Sequence, residues 1–159
     1  MKKHLLLFFC FAFAFTVLQA QKSGQRVGGH AGYGFNSYYI EGSYQYDLSR
    51  GMRIEANAGF GYFYSRHEYM TMHNGSFSLG GSFQWTGTLT NEFWWYGGPC
   101  LMSFLGPKID LAIGGVGGME YRFPFPLRIG LEFRPLISAN PLCEKYFDMP
   151  IFFTAKWDL

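Results

Sequence analysis

The fold is decided by the final stretch of the sequence, residues 151–159, which reads Ile151-Phe152-Phe153-Thr154-Ala155-Lys156-Trp157-Asp158-Leu159. Every odd position in this stretch is apolar, and the even positions after Phe152 are polar. Residues 128–134 alternate in the same way, with apolar side chains on one face and Arg128, Glu132 and Arg134 on the other. A period of two residues predicts β-strands, because successive side chains of a strand point to opposite faces.

Similar alternation extends back through the chain, in segments near residues 26–36, 38–48, 53–64, 76–85, 94–104 and 109–123. The segment 94–104 is the least regular, since Pro99 would remove a hydrogen bond from the ladder. The sequence therefore predicts eight strands of about ten residues, the length that a tilted strand needs to cross a bilayer. The connections differ in length: residues 47–51 and 123–127 are predicted as tight turns, and residues 65–75 and 138–150 as longer loops.

The first twenty residues are predicted to be a secretory signal peptide that is cleaved. A short basic start, Met1-Lys2-Lys3-His4, precedes an apolar run that is too short to span a membrane as a helix, and the small Ala20 ends the segment. Residues 21–159 are then one barrel domain. Removing Lys2 and Lys3 leaves basic and acidic residues balanced, so a nucleic-acid partner has no support.

The orientation of the apolar faces decides the class of barrel. The chain is 48% hydrophobic, 21% aromatic and 15% charged, which excludes a disordered polar chain. Small residues in the middle of the apolar faces would fill a soluble core poorly. Aromatic residues cluster toward the strand ends, as membrane interfaces require: Phe35, Tyr38, Tyr62, Tyr64 and Phe77 at one end, and Tyr46, Trp85, Trp94, Phe123 and Trp157 at the other. These features favour outward, lipid-facing apolar faces. A soluble lipocalin-like ligand-binding barrel, with its apolar face inward, is the alternative.

The segment of residues 21–159 resembles the small eight-stranded outer-membrane barrels of Gram-negative bacteria. The most specific part is the last strand, whose alternate apolar residues resemble the signal read by the barrel-assembly machinery: Ile151, Phe153, Ala155, Trp157 and Leu159. The family usually ends in Phe or Tyr, where this chain has Leu159. Residues 118–124 and 127–135 look like the penultimate hairpin, and the signal ending Gln19-Ala20-Gln21 is similar to signals common in the Bacteroidota.

This resemblance implies an all-β, eight-stranded antiparallel transmembrane β-barrel with up-and-down meander order. The expected location is the cell outer membrane, reached after secretion across the inner membrane. The expected partners are outer-membrane lipid and, during biogenesis, the barrel-assembly machinery. What the surface loops bind is left open.

Charged side chains opposite the apolar faces are predicted to fill the lumen, because an eight-stranded barrel is only wide enough for side chains. They should pair, since an unpaired buried charge is costly. Arg128 opens the seventh strand and Asp158 closes the eighth, so both should lie at one rim. We expect a structural plug, with a narrow or gated ion path as the alternative. The predicted network comprises Glu41, Arg53, Glu55, Glu120, Arg122, Arg128, Glu132, Arg134, Lys156 and Asp158.

Other candidate chemistry has weaker support. Two histidines and two methionines within residues 66–73 are ligand types for a soft copper ion, but their spacing matches no established site. A lipid-modifying enzyme is a third alternative, for which the sequence offers residue types but no nucleophile motif: Ser65, His67, Glu68, His73 and Ser76. Cys100 and Cys143 would meet an oxidising environment and could pair. The sequence thus predicts a non-enzymatic role in membrane integrity, surface interaction or small-scale permeability, with no catalytic residue, metal or cofactor.

Overall fold

The computed structural model describes residues 24–35, 37–67, 70–106, 109–138 and 147–159. The predicted signal peptide, residues 1–20, lies outside the described residues, as does Cys143. The side chains of residues 63–74 are likewise outside the description. Among the described residues, no helix is long and apolar enough to cross a membrane.

The described chain forms a closed antiparallel barrel in meander order. Its first and last strands pair with each other, and so do its fifth and sixth, which closes the sheet. The strands are β1 (Gln25–Tyr33), β2 (Ser37–Ser49), β3 (Met52–His67), β4 (Met70–Thr88), β5 (Phe93–Leu105), β6 (Ile109–Arg122), β7 (Leu127–Phe133), β8 (Leu136–Ser138), β9 (Phe147–Asp148) and β10 (Ile151–Asp158).

Two prolines divide the last two barrel strands into pieces. Pro135 follows β7 and Pro150 precedes β10, and neither residue has an N–H to donate to the ladder. Both carbonyls still accept hydrogen bonds: Gly115 N donates to Pro135 O at 3.1 Å, and Arg134 N donates to Pro150 O at 3.0 Å. Strands β7 and β8 both pair with β6, and β8 pairs with β9. The barrel therefore has eight strands, as the sequence predicts.

The prediction of a loop over residues 65–75 is wrong, because most of this segment belongs to two paired strands. Strand β3 continues to His67 and β4 begins at Met70, and the two pair residue by residue up to His67 opposite Met70. These strands have 16 and 19 residues, so at about 3.3 Å per residue they are longer than a hydrocarbon core of about 30 Å requires. Two strands that leave the barrel can still satisfy each other's backbone groups, which explains why the pairing persists.

The opposite end of the barrel has short connections, at Arg50–Gly51, residues 89–92 and residues 123–126, and we call it the turn end. The end that carries the β3–β4 extension is called the hairpin end. The turn predicted over residues 47–51 is tighter than expected, because β2 continues through Ser49. Gly51 makes this possible, since its φ of 88° lies in the left-handed region that favours glycine.

The apolar faces point outward. Ile40 is 73% exposed, Phe60 68% and Leu131 62%, while charged side chains on the same strands are buried inside. This is the reverse of a soluble ligand-binding barrel, whose apolar face lines the interior. Trp94 departs from the predicted aromatic ends: it turns inward, and Trp95 takes the outward position.

The least regular predicted strand, around Pro99, is a strand in the structure. β5 pairs with β4 on both sides of this residue, but the ladder skips the positions of Gly98 and Pro99. Pro99 lies on the outward face, so its ring does not compete for space in the lumen. Glycines on the inward face leave space for large neighbouring side chains. At Gly28, for example, a Cβ would lie only 2.6 Å from Lys156 Cγ, which is too close.

Candidate functional site: the charged lumen

The lumen is filled by polar and charged side chains that the strand period turns inward. They come from β1, β2, β3, β4, β6, β7 and β10 and from Arg134 just after β7, and most are almost completely buried. The larger members are Arg26, His30, Glu41, Gln45, Arg53, Glu55, Gln84, Glu120, Arg128, Glu132, Arg134 and Lys156.

Arg134 is the centre of one cluster, just beyond the end of β7. Its Nη1 lies 2.8 Å from Glu41 Oε2, and its Nη2 lies 2.6 Å from Glu132 Oε1. The guanidinium also stacks over the Phe152 ring, 4.3 Å from the centroid. One arginine thereby forms ion pairs with two carboxylates whose side chains have no exposed surface.

Glu55 is the centre of a second cluster. Its Oε2 lies 3.2 Å from Lys156 Nζ, and it accepts from Gln45 Nε2 at 2.5 Å and from Gln84 Nε2 at 3.0 Å. These contacts join β2, β3, β4 and β10 across the interior. A carboxylate with one ammonium and two amide donors is the kind of fully satisfied buried group that low-dielectric interiors require.

His30 lies between the two clusters. Its Nδ1 is 3.2 Å from Arg134 Nη2, and its Nε2 is 3.0 Å from Glu55 Oε1. A guanidinium can only donate, so Nδ1 is the acceptor in the contact with Arg134, whereas Nε2 faces the Glu55 carboxylate without an aligned hydrogen bond. The sequence analysis did not include His30 in the network. Its position on the polar face of β1 was the available signal.

Nearer the turn end, charges of alternating sign form a chain around the wall. Arg26 contacts Asp47 at 2.6 Å and Asp158 at 2.8 Å. Arg128 contacts Asp158 at 2.9 Å, at the same rim, as their strand positions require. The chain continues from Arg128 to Glu120, and Glu120 reaches across the lumen to Arg53 at 3.0 Å. We call these six residues the charge chain: Asp47, Arg26, Asp158, Arg128, Glu120 and Arg53.

Toward the hairpin end the lumen becomes aromatic and apolar. The buried residues there and along β5 and β6 form one cluster: Tyr39, Tyr96, Cys100, Met102, Phe104, Ala112, Val116, Leu136 and Phe152. Tyr96 connects it to the charges, because its hydroxyl donates to Glu132 at 2.9 Å and Arg53 stacks over its ring at 4.3 Å. The sequence does not predict these residues as part of the lumen, because an apolar residue on the inward face cannot be distinguished by type from one on the outward face.

Asp148, in the short strand β9, fixes the hairpin end of the described lumen. Its Oδ1 accepts from the backbone N–H groups of Phe35 and Met149, each at 3.0 Å. Its Oδ2 accepts from the hydroxyls of Tyr39, at 2.8 Å, and Ser37. One buried carboxylate thus joins β9 to β2 and to the β1–β2 connection.

We expect Asp148→Asn to lower the free energy of unfolding by about 1–3 kcal/mol, because the new NH2 group faces two hydroxyl donors or two amide donors. Hydrogen exchange should show the amides of Phe35 and Met149 opening faster. The amide of Thr86, which donates to Gly51 O at the turn end, is the internal control and should keep its exchange rate. Unchanged exchange at all three amides would contradict this role.

The predicted site residues are distributed as follows. Eight of the ten charges are buried and take part in the contacts above: Glu41, Arg53, Glu55, Glu120, Arg128, Glu132, Arg134 and Lys156. Asp158 is at the rim, with 24% of its side chain exposed, and belongs to the charge chain. Arg122, the last residue of β6, is exposed at the rim of the lumen, opposite Arg128 in the β6–β7 register.

The other candidates can be placed only in part. The copper ligands proposed within residues 66–73 and the enzyme candidates Ser65, His67, Glu68 and His73 have side chains outside the described residues, while Ser76 is buried. The Cys100 thiol is buried and donates to Gly115 O at 3.3 Å. Among the described residues, His30, Glu55 and Glu132 are close enough to share a metal. A metal there would have to displace Lys156 from Glu55 and Arg134 from Glu132.

Comparison with known proteins supports the class of fold. No protein-family model and no curated protein sequence matches the chain. Among solved structures, the chain is similar to Neisserial surface protein A (NspA), with a TM-score of 0.70 and 11% identity, over 86% of this chain and 98% of that one. It is also similar to a de novo designed transmembrane β-barrel, with a TM-score of 0.52 and 16% identity, over 88% of this chain and 99% of that one.

The chain therefore has the fold of the small eight-stranded outer-membrane β-barrels. At these identities the likeness concerns the fold alone. One of the similar structures is a designed barrel, which shows that this architecture can be shared without common ancestry.

Proposed function

We propose that this protein is an integral, non-enzymatic protein of a bacterial outer membrane, with a structural or surface-interaction role and a lumen closed by side chains. The observation that carries the proposal is the placement of the two faces. Large apolar residues cover the outside, and the charges inside the barrel are paired with one another. Lipid is the environment in which such an outer surface is stable.

The closed lumen is supported by how its charges are satisfied. Arg134, Lys156 and Arg53 each contact a buried carboxylate within 3.2 Å. Aromatic rings of Tyr96 and Phe152 fill the space beside these cations. Paired ions held against ring faces leave few groups free to hydrate a passing ion, so the network serves the stability of the barrel rather than conduction.

The surface role is supported by the β3–β4 extension. In outer-membrane barrels the short turns face the periplasm and the longer connections face outward. The turn end would then be periplasmic, and the hairpin end would present the β3–β4 pair outside the cell. The outward residues of β10 and the adjoining Leu159 would meet the barrel-assembly machinery during biogenesis: Ile151, Phe153, Ala155, Trp157 and Leu159.

Planar-bilayer recording tests the closed lumen. We expect no steady conductance from the refolded wild-type protein, and none from Glu132→Gln, which retains the shape of the side chain. Insertion is verified on the same preparation by gel mobility: a folded barrel keeps its backbone hydrogen bonds internal, so the unboiled protein should migrate faster than the boiled one. A steady conductance that changes in Glu132→Gln would support the narrow ion path instead.

A further inference from the structure

A cavity of about 630 Å³ opens at the turn end of the barrel. It lies beside the charge chain and is bounded by the β2–β3 turn and by the ends of β4, β5 and β6. Its lining includes five arginines: Arg26, Arg50, Arg53, Arg122 and Arg128. This volume falls within the range typical of small-molecule sites, about 300–1,000 Å³.

The cavity has more positive charge than its neighbours neutralise. The three acidic residues of the charge chain already form ion pairs with its three arginines. Arg50 and Arg122 make no ion pair within the described ranges of the chain. Arg122 also lies directly opposite Arg128 in the β6–β7 register, a like-charge pairing that is unfavourable. A bound anion would relieve this repulsion.

Two buried donors in the cavity wall lack an acceptor. Arg53 Nη2 and Trp94 Nε1 are both shielded from solvent, and neither has a hydrogen-bond partner among the residues that the structure describes. Arg53 as a whole is 2% exposed, so water does not readily replace the missing acceptor. Both residues line the cavity. The site therefore offers surplus positive charge together with unused hydrogen-bond donors.

We propose that this cavity binds a phosphate group. A phosphate presents several oxygens that can accept from guanidinium groups and from an indole N–H at the same time. The planar fork of arginine fits two phosphate oxygens at once, which gives both charge and directional hydrogen bonds. The phosphate belongs either to a small soluble phosphomonoester or to the headgroup of a lipid in the adjoining leaflet, since the cavity is open at the barrel mouth.

The binding test uses the full barrel refolded in a nonionic detergent, titrated with glycerol 3-phosphate and with inorganic phosphate by calorimetry. We expect saturable binding that weakens as salt screens the arginines. The double variant Arg50→Gln/Arg122→Gln should bind about tenfold more weakly or worse, and Trp94→Phe, which loses the N–H donor but keeps an aromatic ring, about threefold more weakly. Arg66→Gln removes one positive charge near the far end of β3 and should leave affinity unchanged.

A second arm identifies the source of the phosphate. The wild type and the Arg50→Gln/Arg122→Gln variant are placed in nanodiscs with and without phosphatidylglycerol, and Trp94 fluorescence is compared by reference to Trp94→Phe. A lipid-dependent change that the double variant abolishes assigns the headgroup, whereas binding of glycerol 3-phosphate alone assigns the soluble ligand. No saturable binding in either arm, or equal weakening by Arg66→Gln, would overturn the proposal.

Discussion

Replacement of Arg134 by Met is expected to lower the free energy of unfolding by about 3–5 kcal/mol, the largest effect of any single lumenal substitution that we predict. The change leaves Glu41 and Glu132 buried with no arginine between them. It also removes the donor to His30 and the cation over the Phe152 ring. Urea unfolding of the refolded protein, followed by tryptophan fluorescence, measures the difference.

Two comparisons distinguish the stability lost with the ion pairs from the stability lost with the arginine side chain itself. Adding Glu41→Gln and Glu132→Gln to Arg134→Met should recover part of the lost stability, because amides tolerate burial without a counter-charge. Arg122→Met, at an exposed position with no ion pair in the described structure, should change stability by less than about 0.5 kcal/mol. If Arg134→Met were as mild as Arg122→Met, the network would not stabilise the barrel.

Replacement of Leu131 by Arg is expected to destabilise the barrel in lipid by about 2–4 kcal/mol, or to prevent insertion. Leu131 is 62% exposed and lies on the outer face, paired with Met119 and Phe153. A charge on the lipid face must leave water, and the cost is greatest toward the middle of the bilayer. Folding yield into vesicles, measured by gel mobility and urea titration, gives the result.

Leu89→Arg is the matched control for that experiment. Leu89 is 57% exposed, almost as much as Leu131, but lies in the connection after β4 at the turn end. There the new charge can remain in water, so little change is expected. In a soluble barrel the two substitutions would behave alike, and an equal mild effect of both would contradict the lipid-facing surface.

Much of the fold could be predicted because a β-strand has a period of two. The outward positions of Ile129, Leu131 and Phe133 and the inward positions of Glu132 and Arg134 follow from alternation alone. Strand limits were harder to predict. The β3–β4 extension depends on two segments pairing with each other beyond the barrel, and the alternation of either segment by itself does not reveal this.

The lumen could be predicted only as a set of inward charges. Alternation shows that Glu120 and Arg53 face inward, but their contact crosses the lumen between strands that are not neighbours in the sheet. Such pairings depend on the stagger of the closed barrel. His30 and Tyr96 were missed for a related reason: their roles come from what surrounds them in three dimensions, and neither forms part of a local motif.

The charge chain has a consequence for the order of assembly. Arg26 in β1 meets Asp158 only when the final strand is in place, and the same strand brings Lys156 to Glu55. A sheet without β10 would therefore hold Glu55 without its lysine and would leave the edges of β1 and β7 unpaired. The same strand completes both the ion pairs of the interior and the backbone hydrogen bonds that close the sheet. A sheet without it therefore lacks both stabilising contributions. The barrel is thus favoured to close in one cooperative event.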